Sequence, residues 1–391
     1  MPSSFAALPE PPCEVRAFGH LPEWGRAPLP LIEAGAEAAR RAGGDVFRLR
    51  LGLPAVVGFS PAWNRRLLSD LETFVSAGSF SRVVPYLSGG VILSDVPEHA
   101  GRRGVLNPGF GRRAVLALQE RVRRAVPAVP EGPFDALAWA DGAVLRALNA
   151  AYFSGEADER LLHAFLAPLR RPFPVPAVPR PLLFRRMDGE LRRLMDLRAR
   201  EGGRDDLLGF LAGVPDGLLE ARVSLAAAHD TTTHALAYAL WQLALHPEWH
   251  RPEGHPWVLK EVLRLWPPGW MGSRRLARDV DWQGVRLPGG AVALYSPYLT
   301  GRDAALWPDP LAFRPHRWAA PPPAWAYLPF GGGERTCLGL HLAQSIILTV
   351  LEGLPPLRAH WGDARARPGI TLGPAGPLVV QRRAQVSTAV P

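Results

Sequence analysis

From about residue 60 to 265, apolar positions recur at the three- and four-residue spacing of amphipathic helices. Segments 112–126, 135–153, 183–200 and 220–246 carry the pattern, mostly with arginines at the polar positions. Pro-rich joints at 127–133 and 168–181 interrupt it. Strand-like runs near 44–59 and 280–296 each have turn residues beside them, and 337–353 reads helical again. This order predicts a fold that is mainly α with a minor β part. No internal repeat or linker divides it, so residues 1–391 are expected to form a single domain, with 1–12 as a loosely ordered N-terminal tail.

With 47% hydrophobic and 21% charged residues the chain is globular rather than disordered. No apolar run approaches the roughly 18 residues of a spanning helix. The first thirty residues are Pro-rich (Pro9, Pro11, Pro12) and lack the basic start and apolar run of a secretory signal, so the cytoplasm is the expected location. A bridge between Cys13 and Cys337 is not expected in a reducing compartment, which leaves one useful thiol.

Net charge is +9 and nearly all of it is arginine, Lys260 being the only lysine. Lys260 sits in Leu-Lys-Glu, so there is no phosphate loop, and a Schiff-base enzyme would have to use this one ordinary helical lysine. A Gly-x-Ser-x-Gly nucleophile elbow is absent. Without a dense basic block interleaved with aromatics, nucleic acid is not an expected partner; an acidic electron carrier suits the charge.

The strongest chemical signal is Phe330-Gly331-Gly332-Gly333-Glu334-Arg335-Thr336-Cys337-Leu338-Gly339. Consecutive glycines let backbone approach a flat object and turn amide N–H groups toward one acceptor. A sulfur accepting such bonds near a helix start, about Leu338, has its anionic form stabilised. Arg335, two residues before the cysteine, could neutralise a nearby anion.

The second signal is Ala226-Ala227-Ala228-His229-Asp230-Thr231-Thr232-Thr233-His234, at the centre of a helix of roughly 40 Å. Ala227, Ala228 and Thr231 share a face, where small side chains beside a hydroxyl leave room for a small ligand. An Asp-Thr pair in mid-helix is costly unless it serves a purpose. His229 and His234 are five apart with no glutamate between them, which excludes the zinc-protease helix.

The cysteine loop resembles the haem-binding loop of the cytochromes P450, matching Phe-Gly-x-Gly-x-Arg-x-Cys-x-Gly at all six fixed positions. The resemblance implies the cytochrome P450 fold, haem b as cofactor and Cys337 as the thiolate ligand of its iron. It implies cofactor contacts from Phe330, Gly331, Arg335, Gly339 and Ala227. The helix centre is similar to the family's (Ala/Gly)-Gly-x-(Asp/Glu)-Thr segment, so Asp230 would relay protons and Thr231 would position dioxygen. Ala228 departs from the usual Gly and adds a methyl to the oxygen groove.

Glu261-Val262-Leu263-Arg264 resembles the family's Glu-x-x-Arg helix, and Phe313-Arg314-Pro315-His316-Arg317-Trp318 the segment that supplies a second arginine, Arg317, to a structural network. Pro97-Glu98-His99-Ala100-Gly101-Arg102-Arg103 is similar to a stretch whose His and Arg, here His99 and Arg103, hold haem propionates. Arg274 matches a further propionate arginine, with Arg275 as its one-residue alternative. The connection 247–260 is shorter than the family commonly has.

The implied activity is insertion of one atom of O₂ into a C–H bond of an apolar substrate. Electrons would come from NAD(P)H through a ferredoxin and its reductase. Stretches 264–275 and 295–302 resemble the carotene-hydroxylase branch of thermophilic bacteria, which points to a carotenoid ring; fatty acids or terpenes are the alternatives. Expected channel walls are 80–93, 168–185, 226–229, 268–271 and 372–374, with His229 facing either substrate or core. Peripheral membrane contact for substrate uptake stays open. A peroxide-driven enzyme would tend to lack the Asp-Thr pair, and a haem sensor or carrier would not need it.

Overall fold

A computed structural model describes residues 3–14, 16–79, 84–172, 175–202 and 205–383. Its axis is the helix Gly217–Leu245, whose buried residues lie on every face. A helix apolar all round belongs inside a protein. Ala136–Phe153 packs along it, its first turn closed by the Asp135 side chain accepting from the Leu137 N–H at 3.0 Å. Arg112–Ala125 buries Val115, Leu118 and Val122 and turns its arginines outward, and it packs on the last helix, Leu340–Glu352. These helices and Pro181–Arg200 surround one large apolar core.

A five-stranded sheet runs Val46–Arg50, Pro54–Gly58, Val292–Tyr295, Gly272–Leu276, Phe74–Val75. Pro54–Gly58 pairs in parallel with Val292–Tyr295, so runs more than 200 residues apart share one sheet. A smaller sheet joins Leu357–Gly362, Leu378–Arg382 and Phe134–Asp135 at one end of the helical body.

The expected mainly α fold with a minor β part is found, and the four long helical segments and both strand regions appear within a few residues of their predicted bounds. Several helices escaped the periodicity. Pro28–Arg41 hides behind two prolines and a glycine, although Leu29, Ile32, Ala36 and Ala39 form a buried stripe. Pro61–Ser69 and Glu159–Leu166 are too short for a clear period. The sheet at the C-terminal end was also missed. The expected loose tail is corrected from Ser3 onward: Ser3–Ser4 pairs with Val285–Leu287, and Leu8 is buried. No described helix is long and apolar enough to cross a membrane.

One polar knot fixes segments that precede the cysteine loop. Glu261 is fully buried; Arg264 donates to both its oxygens, at 2.9 and 2.7 Å, and Arg317 Nε donates at 3.0 Å. The Trp318 indole and the Arg314 N–H also donate to it. Arg264 spends its remaining N–H groups on the carbonyls of Gly301, Pro310 and Ala312. Such a network is tolerated in a dry interior only because every member is satisfied. Arg264→Ala should therefore cost about 3–5 kcal/mol, since it leaves a buried carboxylate short of partners. Urea unfolding of the variant beside the parent measures this; a loss under about 1 kcal/mol would mean the knot is not structural.

Candidate active site

Cys337 lies in the loop between Gly333–Arg335 and the last helix. Gly331 and Gly333 adopt φ of +68° and +63°, and a side chain at Gly332 would strike the Trp325 ring. The backbone therefore folds tightly enough for the Cys337 N–H to donate to Phe330 O at 2.8 Å. The amide bonded to the sulfur is that of Gly339, not one of the three consecutive glycines, because the helix starts at Leu340 rather than about Leu338. The sulfur is accessible yet deep in the protein, so it borders an internal space. Burial pushes the thiol pKa up, while the Gly339 N–H and the Arg103 charge pull it down.

Four cationic or imidazole side chains from three parts of the chain gather beside it. His99 and Arg103 come from the helix Glu98–Phe110, Arg274 from its sheet strand, and Arg335 from the loop itself. Arg274 rather than Arg275 is the inward residue; Arg275 is exposed and lies over Gly78. Arg335 donates to Ser94 O at 2.6 Å and to Asp95 at 3.1 Å. The nitrogens His99 Nδ1, Arg103 Nε, Arg274 Nε and Arg335 Nε are buried without a hydrogen-bond partner. Burial and the neighbouring arginines push His99 down to about 4 and Arg335 down to about 10. Cations that push one another toward neutrality, with donors unspent, form a site for an anion.

On the long helix, Thr231 Oγ1 donates to Ala227 O at 2.9 Å and also approaches Ala228 O at 3.2 Å. Asp230 turns elsewhere. Its Oδ1 lies 3.1 Å from His229 Nδ1 and 3.2 Å from Arg170 Nε, and the acid and the alcohol share no hydrogen bond. His229 is fully buried, with Nε2 3.3 Å from Asp141. Asp141 and Arg170 were not singled out from the sequence. The available signal was a lone acid among the alanines and leucines of 136–153. Arg170 gave none, lying in a Pro-rich joint. Two expected walls do meet, Leu372 N–H donating to Pro268 O at 2.9 Å; on the long helix Gly373 sits against the His234 ring, beyond the expected wall 226–229. Residues 80–83 and 173–174 of the other two walls lie outside the described residues.

The cytochrome P450 family model matches residues 256–354. A cyclooctatin synthase of Streptomyces melanosporofaciens is 28% identical over 92% of this chain and 92% of its own. A pentalenene oxygenase of Streptomyces avermitilis is 25% identical, covering 84% of this chain and 86% of its own. Among solved structures, CYP175A1 from Thermus thermophilus superposes with a TM-score of 0.76 at 26% identity, covering 93% of this chain and 97% of that one. Fold and site thus define a haem-dependent oxidoreductase. The chain belongs to the cytochrome P450 family, is a monooxygenase, and takes haem b as its cofactor.

The residues present fit that group. A sulfur facing an internal space suits an iron ligand, and the unspent donors of His99, Arg103, Arg274 and Arg335 suit carboxylates at its edge.

Close to this centre, burial pushes His234 down to about 4 from an ordinary 6.5. Its folded value is the lower one, so the unfolded chain binds more protons between pH 4 and 6.5. The resulting stabilisation is complete above about pH 6.5 and is lost as pH falls toward 4, a change of about 2–3 kcal/mol. Urea midpoints measured across that range should fall with acid in the parent and fall less steeply in His234→Gln. Parallel curves for the two proteins would contradict this.

Proposed function

We propose that the protein hydroxylates an apolar isoprenoid hydrocarbon, with a carotenoid ring as its substrate. The observation that carries the site reading is the convergence of Cys337 with four unspent donor nitrogens from separate parts of the chain. Cys337 would ligate the haem iron as a thiolate, and the Gly339 N–H and the Arg103 charge favour its anionic form against burial, which pushes the free thiol up. His99, Arg103, Arg274 and Arg335 would hold the haem carboxylates, and Phe330, Gly331, Gly339 and Ala227 would line its pocket. Haem supplies the iron at which dioxygen is reduced and the C–H bond oxidised.

The chain's own contribution on the distal side is proton handling. Thr231, tied back to the helix carbonyls, is positioned to pass a proton from its hydroxyl. Asp230 recharges it after turning from Arg170, because in its resting position it faces the other way. The family works with redox partners. We assign a ferredoxin and its reductase, docking near exposed Arg112 and Arg113 on the helix that packs against the one following Cys337.

The isoprenoid assignment draws on two supports. Relatives include an oxygenase named for pentalenene and a cyclooctatin synthase, and 264–275 and 295–302 resemble carotene hydroxylases of thermophiles. The buried walls at 268–271 and 372–374 are apolar and joined by backbone hydrogen bonding.

Titrating the ferric protein with β-carotene should shift its Soret band, and a saturated fatty acid should not. Asp230→Asn should lower carotenoid turnover about a hundredfold while leaving the shift in place. A fatty-acid shift without a carotenoid shift would remove the substrate assignment. Full turnover by Asp230→Asn would remove the acid's role.

A further inference from the structure

Each hydroxylation consumes two protons, RH + O₂ + 2e⁻ + 2H⁺ giving ROH + H₂O, so an acid that delivers one must be reloaded from solvent. Behind Asp230 lies a cluster that the acid–alcohol pair does not require. His229 stands between two carboxylates, its Nδ1 3.1 Å from Asp230 Oδ1 and its Nε2 3.3 Å from Asp141 Oδ1. Arg170 touches both acids, with Nη1 2.6 Å from Asp141 and Nε 3.2 Å from Asp230. The three elements that meet here are the long helix, Ala136–Phe153 and the turn Ala167–Arg170.

The cluster backs onto a cleft of about 380 Å³. Exposed Arg171, Arg367 and Gly369 lie at its mouth, and Asp141, Arg170 and buried His234 line its inner part. His229 Nε2, Asp141 Oδ1, Asp230 Oδ2 and Arg170 Nη2 are buried without a well-aligned protein partner. Buried polar atoms of this kind are ordinarily satisfied by solvent, and here the cleft adjoins them. The charged and titratable groups facing the imidazole are thus Asp141, Arg170 and Asp230, with His234 and Arg367 beyond them.

We propose that Asp141 and His229 form a proton inlet that reloads Asp230 from this cleft, with Arg170 as the positioning residue that holds both carboxylates toward the ring. The inlet rests on reading Asp230 and Thr231 as the proton-delivery pair. A proton taken from cleft water by Asp141 passes to His229 Nε2 as Nδ1 releases its own to Asp230. No bond other than N–H and O–H changes, and no electron moves. The starting tautomer is restored by exchange with cleft water while the ring is turned from Asp230, one proton leaving Nε2 as another is taken up at Nδ1.

A purely structural cluster would tie the three elements together and nothing more, and the experiment separates the two. His229→Gln, Asp141→Asn and Asp230→Asn are compared in turnover driven by NADH through the redox partners, and in turnover driven by a peracid, which brings oxygen already activated. His229→Gln and Asp141→Asn should lose about tenfold in the electron-driven rate, with a larger solvent deuterium isotope effect, and stay within about twofold in the peracid reaction. Independently of turnover, the ¹⁵N ring signals of His229 in the reduced CO form should move in Asp141→Asn. Loss in both reactions together would make the cluster structural and overturn the inlet. An unchanged electron-driven rate in His229→Gln, or unmoved ring signals, would also overturn it. If Asp230→Asn alone is impaired, the inlet falls and the delivery pair stands; if Asp230→Asn is unimpaired, the underlying reading falls as well.

Discussion

An ionised sulfur inside a protein is stable only if its surroundings answer the charge, and that requirement organises the site built here around Cys337. Burial alone raises the thiol pKa. Against it stand the Gly339 amide, available because the last helix begins just after the cysteine, and Arg103 from a helix more than 200 residues earlier. Arg274 and Arg335 add positive charge, and they and His99, which burial holds neutral, keep nitrogens unspent. Such a cluster makes sense as one half of a pair whose other half is a metal centre carrying acidic groups.

Bringing those residues together is the work of the fold. Arg274 arrives on a sheet that joins strands from both ends of the chain, His99 and Arg103 on a helix, and Arg335 on the glycine loop. The segment 84–93 before that helix is fastened to the long helix by Glu220, which accepts from the Val91 N–H at 3.0 Å and from Arg102 at 3.0 Å. The Glu261 knot ties the helix His255–Leu265 to the segment that leads toward the loop. The long helix separates two kinds of chemistry. Thr231 is held against its carbonyls, whereas Asp230 and His229 face charged partners on neighbouring elements.

Long amphipathic helices such as Arg112–Ala125 were legible because their period persists over several turns, and the cysteine loop because six spaced positions constrain it together. Pro28–Arg41 was not, since its prolines and glycine mask a stripe that only tertiary packing reveals. The same limit explains the choice between Arg274 and Arg275: strand pairing decides which faces inward, and pairing is not local information. Asp141 and Arg170 lie beyond sequence reasoning of this kind, because their meaning depends on which buried residue they meet across three elements. The orientation of Asp230 away from Thr231 likewise emerges only once Arg170 is in place.

The most direct measurement is the absorption spectrum of the dithionite-reduced protein under CO, taken beside Cys337→His. A strongly red-shifted Soret band in the parent that is lost in the variant is the predicted result, since only an anionic sulfur opposite CO produces it. A histidine-type CO spectrum in the parent, or an unchanged red-shifted band in the variant, would contradict Cys337 as the iron ligand and with it the organisation of the whole site.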